Sequence, residues 1–154
     1  MDALRTIYRY WLWLMALAIV IQIGFAGIGA FGALDQATAG SVDEDAYYDE
    51  FTLHAILGSL LVLGGLLTFL LALAARVGRQ RVLHAVGLFV LLVVQMVLGW
   101  TGAELPEVLG FLHPINALLI LGAIFSLAGR EWRADRMTAR RVPETVAPPP
   151  SPAS

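Results

Sequence analysis

The sequence contains no cysteine and no lysine, and only 14% of its 154 residues are charged. Without a thiol there is no disulfide, no iron–sulfur cluster, no cysteine-ligated zinc and no thiol nucleophile. A soluble domain is about half apolar and about a quarter charged, whereas 58% of this chain is hydrophobic. These proportions exclude an ordinary soluble fold and point to an integral membrane protein of one domain.

Charge is absent altogether from four long runs, at residues 10–34, 51–75, 82–103 and 108–129. Each exceeds the roughly 20 residues that a helix needs to cross the hydrocarbon core. Nothing alternates with a period of two, which argues against a transmembrane barrel. The expected fold is an all-α, four-helix transmembrane bundle. Residues 1–9 precede it, 10–129 form it, and 130–154 make a basic, then Pro-rich tail that is expected to be disordered. The last part, VPETVAPPPSPAS, has no residues to build a core.

The charges that remain are sorted by sign. Arg5, Arg9, Arg76, Arg79, Arg81, Arg130, Arg133, Arg136, Arg140 and Arg141 flank the first span, fill the second connection and follow the fourth span. The first and third connections hold only acids: Asp35, Asp43, Glu44, Asp45, Asp49 and Glu50, then Glu104 and Glu107. The positive-inside rule places both termini in the cytoplasm. Tyr8, Tyr10, Trp11, Trp13 and Trp132 would mark the inner interface, and Tyr47, Tyr48 and Trp100 the outer one. The first run also resembles a secretory signal, with small residues at 30–33. A signal core is about 7–15 residues, however, and this run is longer, so it reads as a retained helix.

Two hairpins look alike. IVIQIGFAGIGAF around Gln22 matches LVVQMVLGWTGAE around Gln95, each glutamine followed seven residues later by a glycine, Gly29 and Gly102. FTLHAILG and GFLHPINA place His54 and His113 about one turn inside the acidic boundary, with Gly58 and Ala117 four residues on. The chain therefore reads as two repeats of a Gln-helix, an outer loop and a His-helix.

An imidazole in a span needs partners for both nitrogens. A lone histidine so close to the interface is satisfied by a loop carbonyl or water. Two at one depth on equivalent helices are the arrangement by which a bundle holds a haem iron axially. Gly58, Leu61 and Gly65 share the His54 face; Ala117, Ile120 and Ala123 or Ile124 share the His113 face. Gly24, Gly27, Gly29, Gly99 and Gly102 would admit a flat macrocycle, or serve as ordinary helix-packing positions. Gln22 and Gln95 either line the pocket as donors or bond across helix interfaces. His84 stands near the arginine-bearing end and reads as an interfacial residue; only Met15 is left as a remote second ligand on that side.

QMVLG, then LPEVLG, then LHPINALLIL resemble one four-helix half of the haem A synthase family, over about residues 8–128, or a related small four-helix bacterial membrane protein of unknown function. The resemblance implies His54 and His113 as axial ligands of one haem b, in a bacterial cytoplasmic membrane. The family's glutamate three residues before the first histidine is Phe51 here, with Glu50 one position off. The loop cysteines and the second half are absent as well. Fold and haem carry over; methyl-group oxidation does not.

The sequence thus reads as a b-type cytochrome-like protein with bis-histidine ligation, an electron carrier rather than a haem A synthase. Its partners would be the lipid bilayer and a quinone or another membrane redox protein, with no nucleic acid. Haem propionates at the acidic end would meet eight acids and no arginine, so water, Tyr47, Tyr48, loop amides or a second chain in an oligomer must solvate them. The alternative is a non-catalytic membrane subunit or assembly factor without cofactor. A proton-relaying transporter is disfavoured because no acid appears within a span. A divalent metal at the two histidines would need loop acids to complete its shell. No hydrolase constellation and no phosphate-binding glycine loop is present.

Overall fold

The computed structural model describes residues 2–40, 44–101 and 106–140. Gly102, Glu104, Asp43 and the Pro-rich segment 142–154, all singled out above, lie outside them. Five helices follow one another: α1 (Asp2–Thr38), α2 (Glu44–Glu50), α3 (Thr52–Ala74), α4 (Arg79–Thr101) and α5 (Pro106–Arg140). All but the short α2 are long and apolar enough to cross a membrane. At 1.5 Å per residue, α3 and α4 measure about 35 Å, close to the bilayer core, while α1 and α5 exceed 50 Å. The last two must project beyond it. Residues 130–140, expected as part of a disordered tail, instead continue α5. No glycine or proline interrupts EWRADRMTAR, and a helix already nucleated extends at little cost through such residues.

Local signals set the breaks. After α3, Arg76 adopts φ 49° and Gly78 φ 99°. The Arg76 amide donates to Leu73 and the Val77 amide to Ala72, which satisfies two carbonyls that the helix end would leave bare. Pro106 opens α5, where its missing N–H costs nothing. Pro114 lies inside the same helix, so the Gly110 carbonyl loses its helical donor.

The four long helices form a ring in which α1 touches α3 and α5, and α4 touches α3 and α5. Side-chain pairs show that neighbours are antiparallel. Trp11 Nε1 donates to Thr68 Oγ1 at 2.9 Å, the Trp13 ring meets Phe125 edge-on at 6.3 Å, and Asn116 bonds Gln95 at 2.8 Å. All described arginines therefore gather at one end of the bundle, and Asp35, Asp45, Asp49 and Glu50 at the other. Helices α1 and α4, like α3 and α5, stand diagonally opposite, and their backbones do not touch among the described residues.

The interior is filled by Leu12, Met15, Ile19, Leu61, Leu88, Leu92, Ile120, Ile124 and Leu127, all buried. Glycines bring helices close: a methyl at Gly64 would meet Met15 Sδ, and one at Gly65 would meet Leu92. Leu14, Leu17, Leu60, Leu63, Leu118 and Leu119 face outward and exposed. On a membrane-spanning bundle that apolar shell is the lipid-facing surface. The chain is an integral membrane protein with an all-α bundle fold. A repeat of two hairpins is not shown by this packing. Trp11, expected near the inner interface, is half-buried and uses its indole N–H to tie α1 to Thr68 of α3.

Candidate functional site

The acidic end of the bundle brings together the two histidines chosen from sequence. His54 stands in the first turn of α3 and His113 in the third turn of α5, on diagonally opposed helices. Their ring centroids are 6.2 Å apart, with planes inclined at 52°. Both residues are half-buried.

His54 is held on several sides. Its Nδ1 lies 3.2 Å from the Gln22 carbonyl oxygen, a contact that requires the proton on Nδ1. Gln22 Nε2 donates in return to the His54 carbonyl at 2.8 Å. Gly58 is where that amide lies: a methyl there would stand 3.1 Å from Gln22 Nε2. Phe51 meets the imidazole edge-on at 6.2 Å, and its ring also covers Gly29 of α1.

His113 has a like setting. Its Nδ1 is buried and turned to the Gln95 backbone, as that of His54 is to the Gln22 carbonyl. Gly99 faces the ring, where a methyl would meet Cε1 at 3.4 Å. Gln95 does not reach His113 through its side chain. Its Oε1 accepts from Asn116 Nδ2, which also donates to the Leu91 carbonyl at 2.9 Å. Both glutamines thus bond across helix interfaces. Ala117 is half-buried beside His113, and Leu61 and Ile120, sharing the two histidine faces, are buried beneath the pair. Gly24 and Gly27 have nothing within 4 Å of an added methyl and do not border this site.

The donor set bears on what could be held. Two nitrogens each about 2 Å from a shared metal, with roughly 1 Å from nitrogen to ring centre, bring two imidazole centroids about 6 Å apart. The observed spacing agrees with that figure and matches that of rings in direct contact elsewhere in the bundle, Phe51–His54 at 6.2 Å and Trp13–Phe125 at 6.3 Å. No group of three or more histidine or acidic residues gathers among the described residues, so among them a bare divalent ion would find no more than the two imidazoles here. A macrocycle that brings its own four nitrogens needs only the two imidazoles. Gln22 Oε1, buried without a partner, adds one more free polar atom nearby.

His84 lies apart. Its Nδ1 is 2.6 Å from the Gln80 carbonyl of its own helix, and fifteen residues of α4, roughly 22 Å, separate it from Gly99. Met15 is packed on Gly64 and is no partner for it.

Sequence reasoning missed two features. Asn116 is buried and organises Gln95; its place three residues after His113, on the face of Ile120 and Ile124, was the available signal. Glu131 is 8% exposed, and its carboxylate meets Arg81 Nη1 at 2.9 and 3.1 Å. It follows the uncharged run 108–129 on the same helix, at the arginine-bearing end of the bundle. The core stripe Ile120, Ile124, Leu127 runs directly into Glu131 at helical spacing.

No protein-family model, curated protein sequence or solved structure matches this chain. The likeness to haem A synthases rests on the motif residues alone.

Proposed function

We propose that the protein is a membrane haem protein in which His54 and His113 ligate one haem b, and that it carries electrons. The observation that supports this most is the 6.2 Å separation of two imidazoles across the diagonal of the bundle, where no backbone contact closes the space between α3 and α5. The Gln22 carbonyl accepts a hydrogen bond from the Nδ1–H of His54, which leaves Nε2 with its lone pair for a metal, the usual outer-shell arrangement for a ligating histidine. Gln22 anchors the first turn of α3 to α1, while Asn116 and Gln95 tie α5 to α4. The aliphatic layer of Leu61 and Ile120 keeps water from below.

A bound haem would supply one-electron chemistry, and two protein ligands leave no open position for oxygen. A quinone or another membrane redox protein fits as partner class. The arginine-bearing end faces the cytoplasm of a bacterial cell on the positive-inside argument. A four-helix half of a haem A synthase remains the nearest functional analogy, without its oxidation chemistry, since Phe51 packs on Gly29 and His54 where that family has its glutamate.

The test is the visible spectrum of detergent-purified protein, oxidised and then reduced, beside a His54→Ala/His113→Ala variant. A Soret band with sharp α and β bands on reduction, lost in the variant, is the expected result. A protein that stays colourless after haem reconstitution overturns the reading in favour of a cofactor-free membrane subunit.

A further inference from the structure

We propose that the groove between α4 and α5, at the arginine-bearing end, seats one anionic phospholipid with a hydroxyl-bearing headgroup. The site lies at the other end of the bundle from the histidine pair and does not depend on the haem reading.

The groove measures about 370 Å³ and is lined by Leu83, His84, Gly87, Leu88 and Leu91 of α4 and Ala123 of α5. A methyl added at Gly87 would have nothing within 4 Å, so the missing side chain leaves a trough there rather than a helix contact. Apart from His84 the lining is apolar, and both helices are long enough to span a membrane. The trough therefore opens to lipid and suits an acyl chain.

Charge selects which lipid. Arg5 donates to the Ala75 and Arg76 carbonyls, Arg81 pairs with Glu131, Arg133 donates to Gly129, and Arg136 lies over Trp132. The side chains of Arg79 and Arg130 have no partner among the described residues. Arg130 is half-buried, so its charge is partly withdrawn from water without compensation. It stands two turns beyond Ala123, about 10 Å along the same face of α5. Helical side chains lean toward the N-terminus, which for Arg130 is back toward the groove. Arg79 opens α4 one turn before Leu83. A phosphate at this end of the groove is the counter-charge both arginines lack, and guanidinium groups match its oxygens.

His84 sets the headgroup. Its Nδ1 lies 2.6 Å from the Gln80 carbonyl, which requires the proton on Nδ1 and leaves Nε2 of the neutral ring as an acceptor. A headgroup hydroxyl donates to such a nitrogen; a choline has no proton to give.

Native mass spectrometry of the full-length protein in detergent tests this, with equal amounts of phosphatidylglycerol, phosphatidylmethanol, phosphatidylcholine and ubiquinol added. One phosphatidylglycerol is expected to be retained above the others. Arg79→Gln and Arg130→Gln should each weaken it about fivefold, and His84→Leu should erase its margin over phosphatidylmethanol, which is anionic but has no headgroup hydroxyl. Gly87→Leu, which fills the trough, should abolish retention. Gly24→Leu, equally open but on α1, should leave it unchanged and shows that such a substitution is tolerated. Equal retention of phosphatidylglycerol and phosphatidylcholine overturns the proposal, as does a preference that survives Gly87→Leu and Arg130→Gln. Retention of ubiquinol instead, or a dimer lost in Gly87→Leu, overturns it in favour of a quinol or a second copy of the chain.

Discussion

Gln22 grips His54 twice, through its side-chain amide at 2.8 Å from the histidine carbonyl and through its own carbonyl at 3.2 Å from the imidazole Nδ1. The side-chain half of this grip leaves Gln22 Oε1 buried and unpartnered. One hydrogen bond contributes about 1 kcal/mol, whereas a buried orphan acceptor costs about 1–3 kcal/mol. Gln22→Met, which keeps the volume and the backbone carbonyl, is therefore expected to leave fold stability unchanged or raise it by about 1 kcal/mol. Haem affinity should fall in the same variant, because the first turn of α3 is less firmly held. Unfolding in detergent and a haem titration check both halves. A large loss of stability would show that the glutamine serves the fold alone.

Arg81 and Glu131 should behave as a unit. Glu131 is buried while Arg81 remains about one-third exposed, so Arg81→Ala leaves a carboxylate without its main counter-charge. The expected loss is about 2–3 kcal/mol, below the roughly 3–5 kcal/mol of a fully buried pair because Arg81 still reaches solvent. Glu131→Gln should cost less, and Arg81→Met with Glu131→Leu should recover most of the loss. A double-mutant cycle of unfolding midpoints measures this; additive single effects would contradict the pairing.

Gly29 is expected to reject even a methyl group. A Cβ there would lie 2.8 Å from the Phe51 ring and 3.0 Å from the Glu50 carbonyl, and backbone at that junction has little room to give. Gly29→Ala should lose about 1–3 kcal/mol by overpacking, outweighing the helix propensity it gains. Since Phe51 abuts His54, the variant should also broaden or shift the Soret band. Gly24→Ala, open on all sides, is the control and should be neutral or stabilising.

Arg76 occupies the left-handed region at φ 49°. Replacing it by glycine removes a steric cost of about 1 kcal/mol, so Arg76→Gly should raise the unfolding midpoint modestly. A fall would mean that the arginine side chain contributes more than its backbone costs.

Orientation is readily tested because the chain has no cysteine. Asp45 and Arg136 are both exposed, at opposite ends. Asp45→Cys should react with an impermeant maleimide in intact cells, and Arg136→Cys only after permeabilisation. The reverse pattern would invert the bundle.

The membrane class, the four apolar helices and the separation of charge to two ends were all determined by composition along the chain. Each depends on residue type and spacing within one segment, and helices satisfy their own backbone in lipid without help from neighbours. His54 and His113 were legible for the same reason, as the two ionisable groups at matched depth in apolar runs. Tertiary structure alone decided which helices are diagonal, and hence that the two rings face each other at 6.2 Å. It also decided that Gln22 serves His54 while Gln95 serves Asn116, and that Glu131 turns inward onto Arg81. Those partnerships join residues from different helices, and no local periodicity encodes which neighbour a rotating helix will present to another.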